Sequence, residues 1–127
     1  MAFCTAINCM DGRVQLPVIE YLMKRLDVEY VDSITEPAPV KILSEQTDLV
    51  LLNSIFKRVS ISIEKHGSRT IAIIAHVDCA GNPVDDDIHK KQLKDAAQTL
   101  QENFSGTEIV TLWIDANWDV HELGLAE

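Results

Sequence analysis

A chain of 127 residues has the size of one domain and is long enough to close a continuous hydrophobic core. Its apolar share of 46% and charged share of 24% are those of a globular protein, and no apolar run reaches the roughly 20 residues that cross a bilayer. The net charge of −9 argues against nucleic acid or an anionic membrane surface as a partner, because neither would gain favourable phosphate contacts.

Residues 2–8 read as a short buried strand. Residues 15–26 read as a helix, with Val18, Leu22 and Leu26 on one face and Pro17 tolerated in the first turn. Residues 28–34 read as a second strand, after which Pro37 and Pro39 break the chain. The clearest helix spans 47–66. Thr47 or Asp48 caps it, Leu49, Leu52, Phe56, Val59 and Ile63 follow the helical period, and Gly67 ends it. Residues 70–75 are an almost continuous apolar run of strand length, as expected for a parallel strand buried on both faces.

Gly81-Asn82-Pro83 makes a turn into a helix over 85–103. Asp85-Asp86-Asp87 suits the dipole of that helix, and Leu93, Ala96, Ala97 and Leu100 point inward. Residues 108–114 make the fourth strand. No repeat or long linker interrupts this order, so residues 1–127 are expected to form a single domain. Strands alternating with helices predict an α/β fold of three layers, with a central, mainly parallel, four-stranded sheet. Right-handed crossovers then bring the C-terminal strand ends to one edge, where such folds bind ligands.

Two polar segments fall at that edge. Cys9-Met10-Asp11-Gly12-Arg13 follows the first strand, and His76-Val77-Asp78-Cys79 follows the apolar one. If those strands are neighbours, the segments meet. Two thiolates and an imidazole form a zinc set that leaves one tetrahedral position open, and sulfur with nitrogen favours zinc over magnesium or calcium. Water in the open place becomes a nucleophile near neutral pH, although two thiolates weaken its acidification compared with an all-histidine site. Asp11 and Arg13 stand at alternate positions after Cys9, so an extended segment turns all three the same way. Asp11 then either pairs with Arg13 and accepts a hydrogen bond from the zinc-bound water, or binds zinc as a fourth ligand and blocks it. The plainer reading is three buried or semi-exposed residues with no shared task, beside a surface ion pair of little energy.

The other candidates read as structural. Three cysteines, with no secretory leader at the N-terminus (Met1-Ala2-Phe3-Cys4), argue against a disulfide framework and for the cytoplasm. Cys4 reads as a small buried hydrophobe. His66, His89 and His121 lack ligand partners nearby in sequence and read as solvated or capping residues, and Trp113 and Trp118 as core and rim packing.

The two segments, in this order and each after a strand, resemble the β-class carbonic anhydrases. That family carries Cys-x-Asp-x-Arg after its first core strand and His-x-x-Cys after its third, here Cys9-Met10-Asp11-Gly12-Arg13 and His76-Val77-Asp78-Cys79. The apolar strand before His76 and the small Ala80-Gly81 after Cys79 are similar too. The resemblance implies zinc held by Cys9, His76 and Cys79, and an Asp11–Arg13 dyad orienting the zinc-bound water or hydroxide. It implies reversible hydration of carbon dioxide to bicarbonate and a proton, a strand order of 2-1-3-4, and a homodimer or larger homo-oligomer.

The sequence departs from the family in four places. Gly12 stands where the family usually has serine. Ser33-Ile34-Thr35-Glu36-Pro37-Ala38-Pro39 replaces the family's arginine-asparagine-alanine-glycine-asparagine segment. The chain starts at its first strand, so no N-terminal helical arm is expected. Gln15 does not match by motif the family's pocket glutamine. These departures keep two other readings open: action on carbonyl sulfide or carbon disulfide, and a non-catalytic zinc-binding domain.

Overall fold

In the computed structural model, residues 2–124 are described; Met1 and residues 125–127, at the two ends of the expected domain, lie outside the described residues. The elements run β1 (Phe3–Cys9), α1 (Gln15–Leu26), β2 (Tyr30–Glu36), α2 (Pro39–Glu45), α3 (Leu49–His66), β3 (Thr70–His76), α4 (Asp86–Asn103), β4 (Glu108–Ile114) and β5 (Val120–Leu123). A 3-10 turn over Gly12–Val14 leads into α1.

The sheet has the order β2-β1-β3-β4-β5. The first four strands are parallel, in the expected 2-1-3-4 arrangement, and β5 adds an antiparallel edge to β4. The register Ile7↔Ile73 between β1 and β3 carries Cys9 and His76, the last residues of their strands, to the same edge.

The core explains why β3 lacks alternation. Ile71, Ile73 and Ala75 belong to a cluster completed by Val40 and Leu43 of α2, Leu52, Ile55 and Val59 of α3, and Leu93 and Leu100 of α4. Ala72 and Ile74 belong to a second cluster with Val18 and Leu22 of α1. Both faces of the strand are therefore covered, and every second residue need not be polar. Helix ends follow local chemistry. The Asp48 side chain accepts from the Leu51 N–H at 3.1 Å and Asp85 from the Ile88 N–H at 2.9 Å, while Gly67 closes α3 at φ +72°.

Three features depart from expectation. First, β2 begins two residues late, because Val28 is spent closing α1 through its N–H to the Met23 carbonyl at 3.3 Å. Second, Pro39 opens α2 instead of breaking the chain, since a residue without an N–H suits the first helical turn. Third, β5 went unforeseen because it has only four residues and its central His121 and Glu122 are exposed. Among the described residues, no helix is long and apolar enough to cross a membrane.

Candidate metal centre

β1 ends on Cys9 and β3 on His76, while Cys79 follows in a turn that Asp78 tightens with φ 54°. Each is at least 94% buried, and their Sγ, Nδ1/Nε2 and Sγ ligand atoms all lie within 4.8 Å of one another. The two sulfurs are 4.0 Å apart. Sulfurs about 2.3 Å from one tetrahedral ion stand about 3.8 Å from each other, so the pair is already near the spacing zinc requires.

His76 supplies the decisive atom. Its Nδ1 lies 2.6 Å from the Val77 carbonyl, which makes Nδ1 the protonated nitrogen and leaves Nε2 with a free lone pair. That Nε2 is buried and has no hydrogen-bond partner. An orphaned buried nitrogen is costly unless it has another purpose, and a ligating histidine needs this same pairing of Nδ1 with a carbonyl. The donor set therefore fits zinc.

The ionisation of the three is intertwined. Cys9 is pulled well down, first by its hydrogen bond with Cys79 and, against the penalty of burial, by His76 and the backbone amides of Ala38 and Asp11. Cys79 is pushed up by that same neighbouring sulfur and by burial. Burial works to lower His76, yet the Cys9 sulfur and the Val77 carbonyl outweigh it and the net direction is upward. Cys4 lies apart, 1% exposed among the apolar residues on the α1 face, its thiol raised to about 11 by burial and then by Asp32.

Asp11 caps the 3-10 turn and is gripped by Arg13. Its Oδ1 accepts from the Arg13 N–H at 2.9 Å and from Nε at 3.1 Å, and its Oδ2 accepts from Nη2 at 2.7 Å. These bonds hold the Asp11 carboxyl down at about 2. Asp11 lies outside the three-residue cluster, with both oxygens occupied by Arg13. Arg13 also reaches the second loop, donating from Nη1 to Asp78 Oδ2 and from Nη2 to the Asp78 carbonyl, both at 3.3 Å.

Gln15, Gly81 and Gly12 complete the surroundings. Gln15 Nε2 donates to the carbonyls of Cys9 at 2.7 Å and Asp11 at 2.9 Å, bracing the turn between them. By motif it does not match the family's pocket glutamine, so only its place in the first turn of α1 points to this edge. Gly81 packs so closely on Pro37 and Ala38 that an added Cβ would stand 3.2 Å from each, which joins the loop after β3 to the one after β2. Around Gly12 the space is open, so a serine there would fit.

His89 corrects the expectation of a solvated or capping residue. It is 3% exposed and meets Trp113 edge-on, the ring centroids 5.5 Å apart, and burial followed by the charge of His76 lowers its pKa. The reason is helical phase: position 89 shares the inward face of α4 with Leu93, Ala96 and Leu100. His66 and His121 are exposed, as expected, and meet carboxylates, at 2.7 Å from Asp32 and 2.7 Å from Asp115.

Solved structures share this fold. A β-carbonic anhydrase of Sordaria macrospora, described as tetrameric, superposes with a TM-score of 0.63 at 13% identity, over 95% of this chain and 80% of that one. The β-carbonic anhydrase CafA of Aspergillus fumigatus gives 0.58 at 14% identity, over 98% and 76%. A carbonic anhydrase of Streptococcus mutans gives 0.52 at 16% identity, over 94% and 81%. No curated protein matches the chain by sequence. Identities this low establish the fold alone, and the family follows from the sequence itself: residues 1–124 match the family model "Putative carbonic anhydrase", and the chain belongs to that family.

Proposed function

We propose that this single domain is a zinc enzyme that reversibly hydrates carbon dioxide to bicarbonate and a proton. Cys9, His76 and Cys79 hold the metal, and Asp11 with Arg13 forms the pair that orients the reacting water. The observation that carries the reading is the orphaned Nε2 of His76, buried between two thiols while Asp11 is held aside by Arg13. Zinc bound here would supply the acidity that makes water a nucleophile near neutral pH.

The chain's own residues do the rest. Kept ionised by Arg13, Asp11 only accepts hydrogen bonds, so a reacting water that donates to it has its lone pair turned towards an incoming electrophilic carbon. Arg13 keeps that carboxylate from swinging into the cluster, and Gln15 fixes the backbone on which it sits. Membership of the family and the shared fold support the reading. Free thiols fit a reducing compartment, which favours the cytoplasm. Met10, Leu16, Leu49 and Val50, each more than 60% exposed at the site edge, favour a homodimer or larger homo-oligomer, in line with the tetrameric Sordaria enzyme.

Stopped-flow assay of zinc-replete protein at neutral and alkaline pH tests this. Hydration above buffer is expected, lost in Cys9→Ala and His76→Ala together with the metal. Asp11→Asn should keep zinc and lose about 100-fold in rate. A zinc-replete chain without hydration at either pH overturns the proposal. Sulfide release from carbonyl sulfide or carbon disulfide would then reassign the substrate, and its absence would leave a metal-binding domain.

A further inference from the structure

We propose that Trp118, in the loop between β4 and β5, is a positioning residue that holds the Arg13 guanidinium, and through it Asp11, in place. The inference rests on the reading of Asp11 and Arg13 given above. The Arg13 Cζ stands 4.7 Å from the centroid of the Trp118 ring, inside the roughly 6 Å range in which an indole face attracts a cation. The donors along the guanidinium edges are taken by Asp11 and Asp78, from the loops after β1 and β3. Their bonds fix the edges of the plane and leave its faces free. The guanidinium carbon lies over the Trp118 ring, so residues of three separate loops grip one side chain.

The loop is built to present that ring. Asp115 Oδ1 accepts from the N–H groups of Asn117 at 2.9 Å and Asp119 at 3.1 Å, and the Asp115 carbonyl accepts from the Trp118 N–H at 2.9 Å. His121 closes the turn on Asp115 Oδ2 at 2.7 Å. Inside it Trp118 adopts φ 65°, a left-handed conformation that a bulky residue keeps only where its surroundings over-determine it. Any residue would serve as rim packing, and glycine or asparagine would serve the turn better. What tryptophan adds is a large aromatic face. Arg13 needs one, because its side chain is 46% exposed and a solvent-exposed ion pair does not hold a single geometry by itself.

The test compares Trp118→Ala, Trp118→Leu and Trp118→Phe in the full chain, with two readouts. NMR follows solvent exchange of the Arg13 Nε–H, which donates to Asp11, and needs no turnover; stopped-flow hydration of the zinc-loaded protein gives kcat and KM. Trp118→Ala should bind zinc as the wild type does, speed Nε–H exchange three- to tenfold, and lower kcat by a similar factor with little change in KM. Trp118→Phe should recover most of both. Leucine fills the space without an aromatic face, so it should behave like alanine, and it decides the matter if the alanine variant does not fold. Trp118→Leu with wild-type exchange reduces Trp118 to packing and overturns the proposal. Faster exchange in a wild-type background that hydrates nothing refutes the proposed activity and leaves the positioning role standing.

Discussion

The buried face of each side chain decides its role at this site. His76 is useful because the carbonyl of its own neighbour, Val77, fixes the ring and leaves Nε2 without a partner beside two sulfurs. Cys4 is a buried cysteine that lies outside the cluster. Its apolar surroundings and Asp32 raise its thiol to about 11. Folding favours its protonated form, so its contribution is complete below the unfolded thiol pKa of about 8.5 and declines as pH rises towards 11. Iodoacetamide at pH 8 should therefore leave Cys4 unmodified in the native protein and modify it in urea, as mass spectrometry of the peptides would show. Native labelling of Cys4 would contradict the burial. Cys9, Asp11, Arg13, His76 and Cys79 were legible because their spacing follows directly from strand ends. His89 reads as solvated from its charged surroundings, Asp85 to Asp87 before it and Lys90 and Lys91 after it, and only the phase set by Leu93 and Leu100 turns it inward. Trp118 and Gln15 were not legible as partners of the site, since Trp118 meets Arg13 only across three strands and Gln15 carries no motif.

The long periodic or continuous apolar elements are legible in the sequence, whereas the short α2 and β5 are not. β3 and α3 announce themselves by continuous or periodic apolar residues. α2 has only seven residues and starts at a proline, and β5 is a polar edge strand held by its turn and its pairing with β4. The strength of that turn can be measured. The carboxyl of Asp115 lies below the usual carboxylate range, first because of His121 and then because of the Asp119 N–H. A depressed folded pKa contributes stability above the unfolded value of about 3.9, and the contribution is lost as pH falls through the folded value. Asp115→Ala should therefore lower Tm at pH 6, and the difference from wild type should narrow as pH falls towards 2. A difference constant over that range would show that the charge of Asp115 does not hold the turn.

At the scale of the molecule, the fold converts sequence distance into proximity. Parallel pairing of β1 with β3 puts both motif segments at one edge, where Cys9 and Cys79 are buried in the core cluster on the α1 face. Alternating strands and helices made the layers readable, whereas the neighbouring of β1 and β3 came with the family resemblance, because long-range pairing leaves no local signature. The replacement segment forms the end of β2 and the link to α2, where Pro37 and Ala38 lie tight against Gly81 and the Ala38 amide favours the Cys9 thiolate. The most direct test of the whole account is a crystal structure with anomalous scattering recorded at the zinc edge. One peak per chain is predicted, about 2.3 Å from Cys9 Sγ and Cys79 Sγ and about 2.0 Å from His76 Nε2, with Asp11 still bound to Arg13. A peak elsewhere, or Asp11 in the fourth position, would contradict it.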